Sequence, residues 1–422
     1  MDFHFQCIDG AWADAEGGGT RDVIDPATES VVRTVPFGDR RDCRAAIEAA
    51  ARAPSRRGRV RRRMRARPCS CVRRDACRNW PTNWPASRCT PESGTSHGPG
   101  PRRMADSADL FEWFAEEGEA RLRPDHPLAR AYQAHDGAPS RSASSALDHG
   151  VELPPTTPPA RGRRRFTVVG RASGSRRSQP MAMTEILAEA GIPAGVISLR
   201  QRRPGRHGRD AGPPVPAEDP LHRERARRED LMVGASRTVT RLSLELGGNA
   251  PVIVLPDGGP RSGDGGGRGQ QVPQQRRCAV AQRFLVHRRV ADAFADAVSR
   301  RASGLKLGSG LDADDQSARS SNAQQRDRVE ALVGEAAGAG VGAHGGRRPA
   351  SLEHGYFFEP TVLSGIRPEM PVFQEEIFGP VMPVIAFDEI DEALALANRT
   401  PCGLAAYIWT NDLRASIALS EG

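Results

Sequence analysis

An α/β fold is predicted for this chain of 422 residues, and three observations predict it. Over residues 353–422, strands at 381–387 and 404–409 alternate with helices at 389–398 and 411–420, a β-α-β-α rhythm. The run Pro251–Leu255 is short and wholly apolar, as a strand covered on both faces requires. Upstream, apolar residues recur at helical spacing in several windows that end at glycine or proline.

Taken in order, residues 1–53 begin with short strand-like pieces and a turn at Asp25-Pro26-Ala27. A helix follows with Cys43, Ala46, Ile47 and Ala50 on one face, stopping before Pro54. Residues 104–118 place Leu110, Phe111, Phe114 and Ala115 at helical spacing and end at Gly118. Residues 181–191 do the same with Met183, Ile186, Leu187 and Ala190, before Gly191 and Pro193. VTRLSLELGG then leads into Pro251–Leu255. Phe284–His287 reads as a strand, followed by a helix with Val290, Phe294, Ala297 and Val298 on its face.

Between these segments, about 54–103, 119–180, 200–230 and 257–277, the chain is rich in Arg, Pro, Gly and Ser and has no period of 2 or 3.6. Such stretches bury too little apolar surface to offset their ordering entropy, and irregular structure is expected there. Loops of this length are uncommon inside compact domains.

Composition excludes several classes. No apolar run approaches the roughly 18 residues of a membrane-spanning helix. MDFHFQCIDG has no basic segment followed by an apolar one, so a secretory leader is not expected. Eight cysteines are too sparse for a disulfide scaffold, which makes the reducing cytosol the expected location. Of the 60 Lys and Arg residues the single lysine is Lys306, and the net charge is +8. Proteins that hold phosphate usually mix the two residues, so this balance reflects bias in the coding DNA more than a nucleic-acid partner. The alternative is an Arg-rich nucleic-acid binder, with 54–103 as its arm and Trp80 and Trp84 as stacking residues. Cys69, Cys71, Cys77 and Cys89 lack paired zinc-ligand spacing, so no metal is expected.

The strongest chemical signal is Leu244-Glu245-Leu246-Gly247-Gly248-Asn249-Ala250-Pro251, a carboxylate followed by two glycines and a buried strand. Glycines let backbone approach a ligand closely, and a desolvated glutamate can serve as a general base. Taken alone, such a glutamate also reads as a helix or turn cap. Taken alone, Cys278, just before the strand RFLVH, reads as a small buried cysteine. Glu376 in Glu375-Glu376-Ile377-Phe378-Gly379-Pro380 likewise reads as a solvated acid in an acidic turn.

The octet resembles the glutamate active-site motif of the NAD(P)-dependent aldehyde dehydrogenases at every position, and with Asn249 it is most similar to the succinate-semialdehyde dehydrogenases. The resemblance extends in order through residues 8–53, 108–118, 182–199, 355–363 and 373–413, roughly half to three fifths of the chain. It implies an aldehyde dehydrogenase-like fold: a Rossmann-like cofactor domain over 1–244 and an α/β catalytic domain over 245–422. It further implies NAD or NADP as cofactor, a small aldehyde as substrate and a homo-oligomer. By the same resemblance Cys278 is the nucleophile, Glu245 the general base, and Leu246 contacts the nicotinamide through its backbone. Glu376 holds the nicotinamide ribose and Phe378 packs near the ring.

Several family elements are replaced. Gln275-Arg276-Arg277 precede Cys278 where the family has Gly-Gln and a small residue. ELPPTTPPARG (152–162) stands for Trp-Asn-Phe-Pro, whose Asn helps form the oxyanion hole; losing one such donor typically costs about 10²–10³ in rate. GRASGSRRSQP (170–180) stands for Lys-Pro-x-Glu, and HRERARREDLM (222–232) for the Gly-Ser-Thr turn at the pyrophosphate. Glu245 and Cys278 are one residue closer than in the family, and relatives continue beyond Gly422. These departures suggest frame slips and a C-terminal truncation, predict weak or no activity, and leave a non-catalytic remnant as a second alternative.

Overall fold

The computed structural model describes residues 6–53, 143–146, 167–171, 178–189, 192–200, 229–230, 232–237, 239, 247–258, 281–308, 320, 322–401 and 403–422. The chain divides into two compact units. One spans Met1–Gly205 with Ser309–Ala313, the other Arg206–Gly308 with Asp314–Gly422.

The first unit opens with the antiparallel pair β1 (Gln6–Ile8) and β2 (Ala11–Ala13). Its connecting residues, Asp9 and Gly10, both have positive φ (52° and 81°), as the two-residue turn that suits strand twist demands. A second hairpin joins β3 (Thr20–Ile24) to β4 (Val31–Pro36), and its turn is closed by Asp25 Oδ1 accepting from Ala27 N at 2.8 Å. Helix α1 (Arg40–Arg52) starts at a reciprocal capping box formed by Asp39 and Asp42. It buries Ala46, Ala49 and Ala50, whereas Ile47, expected on that face, is 47% exposed. Only small side chains let the helix approach the sheet at Val169, so the bulky Ile47 is turned to the flank.

A five-stranded sheet of order β2-β1-β7-β6-β5 adds β5 (Ala143–Ala146), β6 (Val168–Arg171) and β7 (Ile197–Arg200). Strands β5 and β6 correct the expectation that 119–180 is irregular throughout. The β-branched core of FTVVG (166–170) is enough for a strand even between arginine runs. Helix α2 (Ser178–Glu189) starts three residues earlier than its apolar face suggested and buries Met181, Met183, Ile186 and Leu187. The helix expected over 104–118 lies outside the described residues.

The second unit is built on a six-stranded sheet of order β10-β11-β12-β9-β8-β13. Its strands are β8 (Pro251–Val254), β9 (Arg283–His287), β10 (Gly342–His344), β11 (Thr361–Ser364), β12 (Val381–Phe387) and β13 (Tyr407–Trp409). All neighbours pair parallel except β10 with β11. Helix α3 (Arg288–Ser303) covers one face, packing Ala291, Phe294, Ala295 and Val298 on Val252, Val254, Phe284, Val286 and Val384. Val290 and Ala297, expected on this face, lie at its margin. The opposite face, with Ile253, Leu285, Leu363, Ile385 and Phe387, is covered by α4 (Ala323–Gly338) and α6 (Ile390–Asn398). Between these two helices in sequence comes the single turn α5 (Pro371–Gln374), and α7 (Leu413–Glu421) follows β13. Burial on both faces explains the near-continuous apolar runs of β8, β9 and β12. Among the described residues no helix is long and apolar enough to cross a membrane.

Candidate active site

Because β12, β9, β8 and β13 run parallel and in register, with Pro251 opposite Arg283 and Phe284 opposite Val384, their lead-in segments emerge at one edge of the sheet. That edge gathers 247–250 before β8, Ala281–Gln282 before β9 and 375–380 before β12. Two motifs distant in sequence, the Gly-Gly-Asn of the octet and the Glu-Ile-Phe-Gly-Pro segment, are thereby neighbours.

Polar side chains fix this junction. Asn249, 6% exposed, donates from Nδ2 to Phe373 O (2.8 Å) and Glu375 O (3.4 Å). Gln282, 2% exposed, accepts at Oε1 from Ile377 N (2.9 Å), while its own backbone N–H donates to Ala250 O. The buried guanidinium of Arg283 donates to Asn249 O (2.8 Å) and to the last carbonyls of α6, Leu396 O (3.0 Å) and Ala397 O (2.8 Å). It also lies 5.3 Å from the Phe373 ring centroid. A cation there satisfies carbonyls that the helix cannot and sits at the negative end of its dipole.

From α4, Gln325 Nε2 donates to Ile377 O (3.0 Å) and Phe378 O (3.3 Å), and Arg328 Nη1 to Glu376 O (2.8 Å). Arg328 Nη2 binds the Glu375 carboxylate at 2.9 Å. Of the two adjacent acids, Glu375 is therefore committed to α4. Glu376 instead lies against Gly247: a Cβ there would strike Glu376 Oε2 and stand 3.1 Å from its Cδ. Phe378 follows with φ of 54°, the left-handed region that costs a non-glycine residue about 1–2 kcal/mol. The hydrogen bonds on either side hold it there. Gly379 is required because a side chain would press on Val329 of α4, at 2.5 Å from Cγ2.

Of the residues singled out in the sequence, Glu376 and Phe378 thus fall at this junction beside Gly247. Glu245, Leu246 and Cys278 lie outside the described residues, as do the cysteines of 69–89 and the arm 54–103. Among the described residues no cluster of His, Cys, Asp and Glu could hold a metal ion. The two described cysteines are Cys7 and Cys43, and burial pushes the Cys7 thiol up, away from nucleophilic use. Sequence reasoning missed Asn249 as a structural donor and missed Gln282, Gln325 and Arg328. The available signal was a polar residue at the mouth of an apolar strand, as in Gln282-Arg283 before Phe284.

Residues 167–421 match the model of the aldehyde dehydrogenase family. Glutarate-semialdehyde dehydrogenase from Pseudomonas aeruginosa is 28% identical over 445 residues, covering 98% of this chain and 86% of that protein. The NADP(+) succinate-semialdehyde dehydrogenase 1 of Schizosaccharomyces pombe is 31% identical, covering 80% of this chain and 69% of that protein. A crystal structure of a point mutant of betaine aldehyde dehydrogenase from Staphylococcus aureus, in complex with NAD+, superposes with a TM-score of 0.79 at 25% identity. It covers 99% of this chain and 87% of that one.

Proposed function

Because the chain belongs to the aldehyde dehydrogenase family, we propose that it oxidises an aldehyde to a carboxylate in the cytosol, with NAD or NADP as hydride acceptor. One observation supports the reading: the Glu376 carboxylate lies against Gly247, two residues after Glu245 in sequence, so the candidate ribose-binding group meets the motif that carries the candidate base. The residues present fit a nicotinamide ribose. A carboxylate offers two acceptor oxygens to a diol, and the glycine beneath it leaves room that a Cβ would fill.

The bound nicotinamide supplies the hydride acceptor. The Cys278 thiolate adds to the aldehyde carbon, forming a C–S bond and a thiohemiacetal. Loss of hydride from that carbon leaves a thioester on Cys278. Glu245 takes a proton from water, whose oxygen attacks the thioester; the C–S bond breaks, releasing the carboxylic acid and the thiolate. Glu376 orients the ribose, and the left-handed Phe378 presents its ring beside it. Residues 1–244 form the cofactor domain and 245–422 the catalytic domain, which also contributes Glu376 and Phe378 to the nicotinamide end of the cofactor.

The test is cofactor reduction, followed by absorbance, with purified protein and a panel of small aldehydes and semialdehydes. Weak turnover, slowed by the replaced oxyanion-hole and pyrophosphate motifs, that vanishes in Cys278→Ala is expected. Folded, cooperatively melting protein that reduces neither NAD nor NADP refutes the proposal.

A further inference from the structure

Gln282 and Asn249 share an unusual property. Each spends one end of its carboxamide on the 373–377 segment, and each leaves the other end, Gln282 Nε2 and Asn249 Oδ1, buried with no hydrogen-bond partner among the described residues. Burying an unsatisfied polar atom is destabilising, and a core chosen for stability alone would carry an apolar side chain of the same size. The contact that Gln282 does make explains its retention. Its Oε1 accepts from Ile377 N at 2.9 Å, and Ile377 stands between Glu376 and Phe378. Ile377 is itself 1% exposed, so that peptide cannot move without carrying both neighbours. Gln282 stands four residues after Cys278 in sequence and immediately before β9, with its backbone locked to Ala250 O at 2.9 Å.

We propose that Gln282 is a positioning residue that fixes the nicotinamide-ribose segment 375–380 against the entrance of β9. The inference rests on the reading of Cys278 and Glu376 given above. One carboxamide ties the start of β9 to the peptide between Glu376 and Phe378. Hydride transfer depends steeply on donor–acceptor placement, and a misplacement of about 1 Å can cost about a hundredfold. Attack of the thiolate on a carbonyl needs no such alignment with the cofactor. Gln282 therefore affects hydride transfer and leaves thiolate chemistry alone.

The experiment compares parent, Gln282→Met and Cys278→Ala in three measurements: melting temperature, single-turnover cofactor reduction with an aldehyde, and cofactor-free hydrolysis of 4-nitrophenyl acetate, which needs the thiolate and the water that clears its thioester but no cofactor. Met matches Gln in length and lacks the strong acceptor. The expected result is a melting temperature within a few degrees of the parent, ester hydrolysis within twofold, hydride transfer down at least tenfold and a raised KM for the cofactor. Cys278→Ala is expected to lose both activities. If Gln282→Met does not fold, Gln282→Asn keeps the amide and withdraws Oε1 by one methylene; the same split is expected. Parent rates of cofactor reduction in either folded variant overturn the positioning role and leave Cys278 in place. Ester hydrolysis that survives in Cys278→Ala removes the nucleophile, and with it both the proposed function and this inference.

Discussion

Replacing Gly247 by alanine isolates the contact between the two motifs. The three atoms nearest the new Cβ are Glu376 Oε2, Cδ and Oε1. These are the far end of a flexible side chain, which is expected to shift while the backbone stays. Gly247 is not in the left-handed region, so alanine fits its backbone and reduces unfolded-state entropy, worth about 0.4–1 kcal/mol. Stability is therefore expected to hold or rise slightly. Cofactor affinity is expected to fall, because a hydrogen bond to a charged group contributes about 1.5–3 kcal/mol. One such bond lost from the ribose corresponds to a Kd raised about 10- to 100-fold. The assay is quenching of protein fluorescence by NADH or NADPH, with a melting curve on the same sample. Gly345→Ala serves as contrast: at φ of 88° its Cβ would run into the backbone at Pro360 O, so it loses stability instead. If Gly247→Ala binds cofactor as tightly as the parent, Glu376 does not hold the ribose from where it lies.

The other predictions concern the frame and the chemistry. Arg283→Met strands three carbonyls, two of them buried, and is expected to cost about 3 kcal/mol, read from chemical denaturation; a change below about 1 kcal/mol would contradict the role of the guanidinium. Hydrogen bonds from Thr410 and from Asn411 N hold the Asp257 carboxyl below its ordinary value. A lowered folded pKa gives stability that is fully present above the unfolded value of about 3.9 and lost as pH falls through the folded one. Asp257→Asn should flatten the acid side of the melting-temperature profile, and parallel profiles would exclude it. Glu245→Gln should give one equivalent of reduced cofactor per active site and then slow turnover; unimpaired turnover would remove Glu245 as the base.

The parts of the fold legible in the sequence are those where a strand is buried on both faces. Strand β12 spans 381–387 as its apolar run implied, and β9 and α6 fall within a residue or two of expectation. Helix α4 went unread although Val329, Leu332, Val333 and Ala336 keep helical spacing. The candidate site was half legible. Glu376 and Phe378 were found through resemblance, since ligand contacts depend on residue type in a motif. Asn249, Gln282, Gln325 and Arg328 act on carbonyls and N–H groups of any residue, so nothing in their own sequence context announces a partner.

The pairing of Pro251 with Arg283 bears on how this gene can change. Each candidate chemical position is counted back from its own strand entrance, Glu245 from Asn249 and Pro251, Cys278 from Gln282 and Arg283. An insertion or deletion between 257 and 277 alters how much chain hangs between two anchors without altering which residue either anchor presents. Closing a longer loop is inexpensive, about 0.6 kcal/mol for each doubling. One residue gained or lost inside an entrance is another matter, since it would turn every side chain of that strand to the opposite face. In-frame changes of length between the anchors are therefore expected to be tolerated, while a single residue gained or lost inside either short entrance is not.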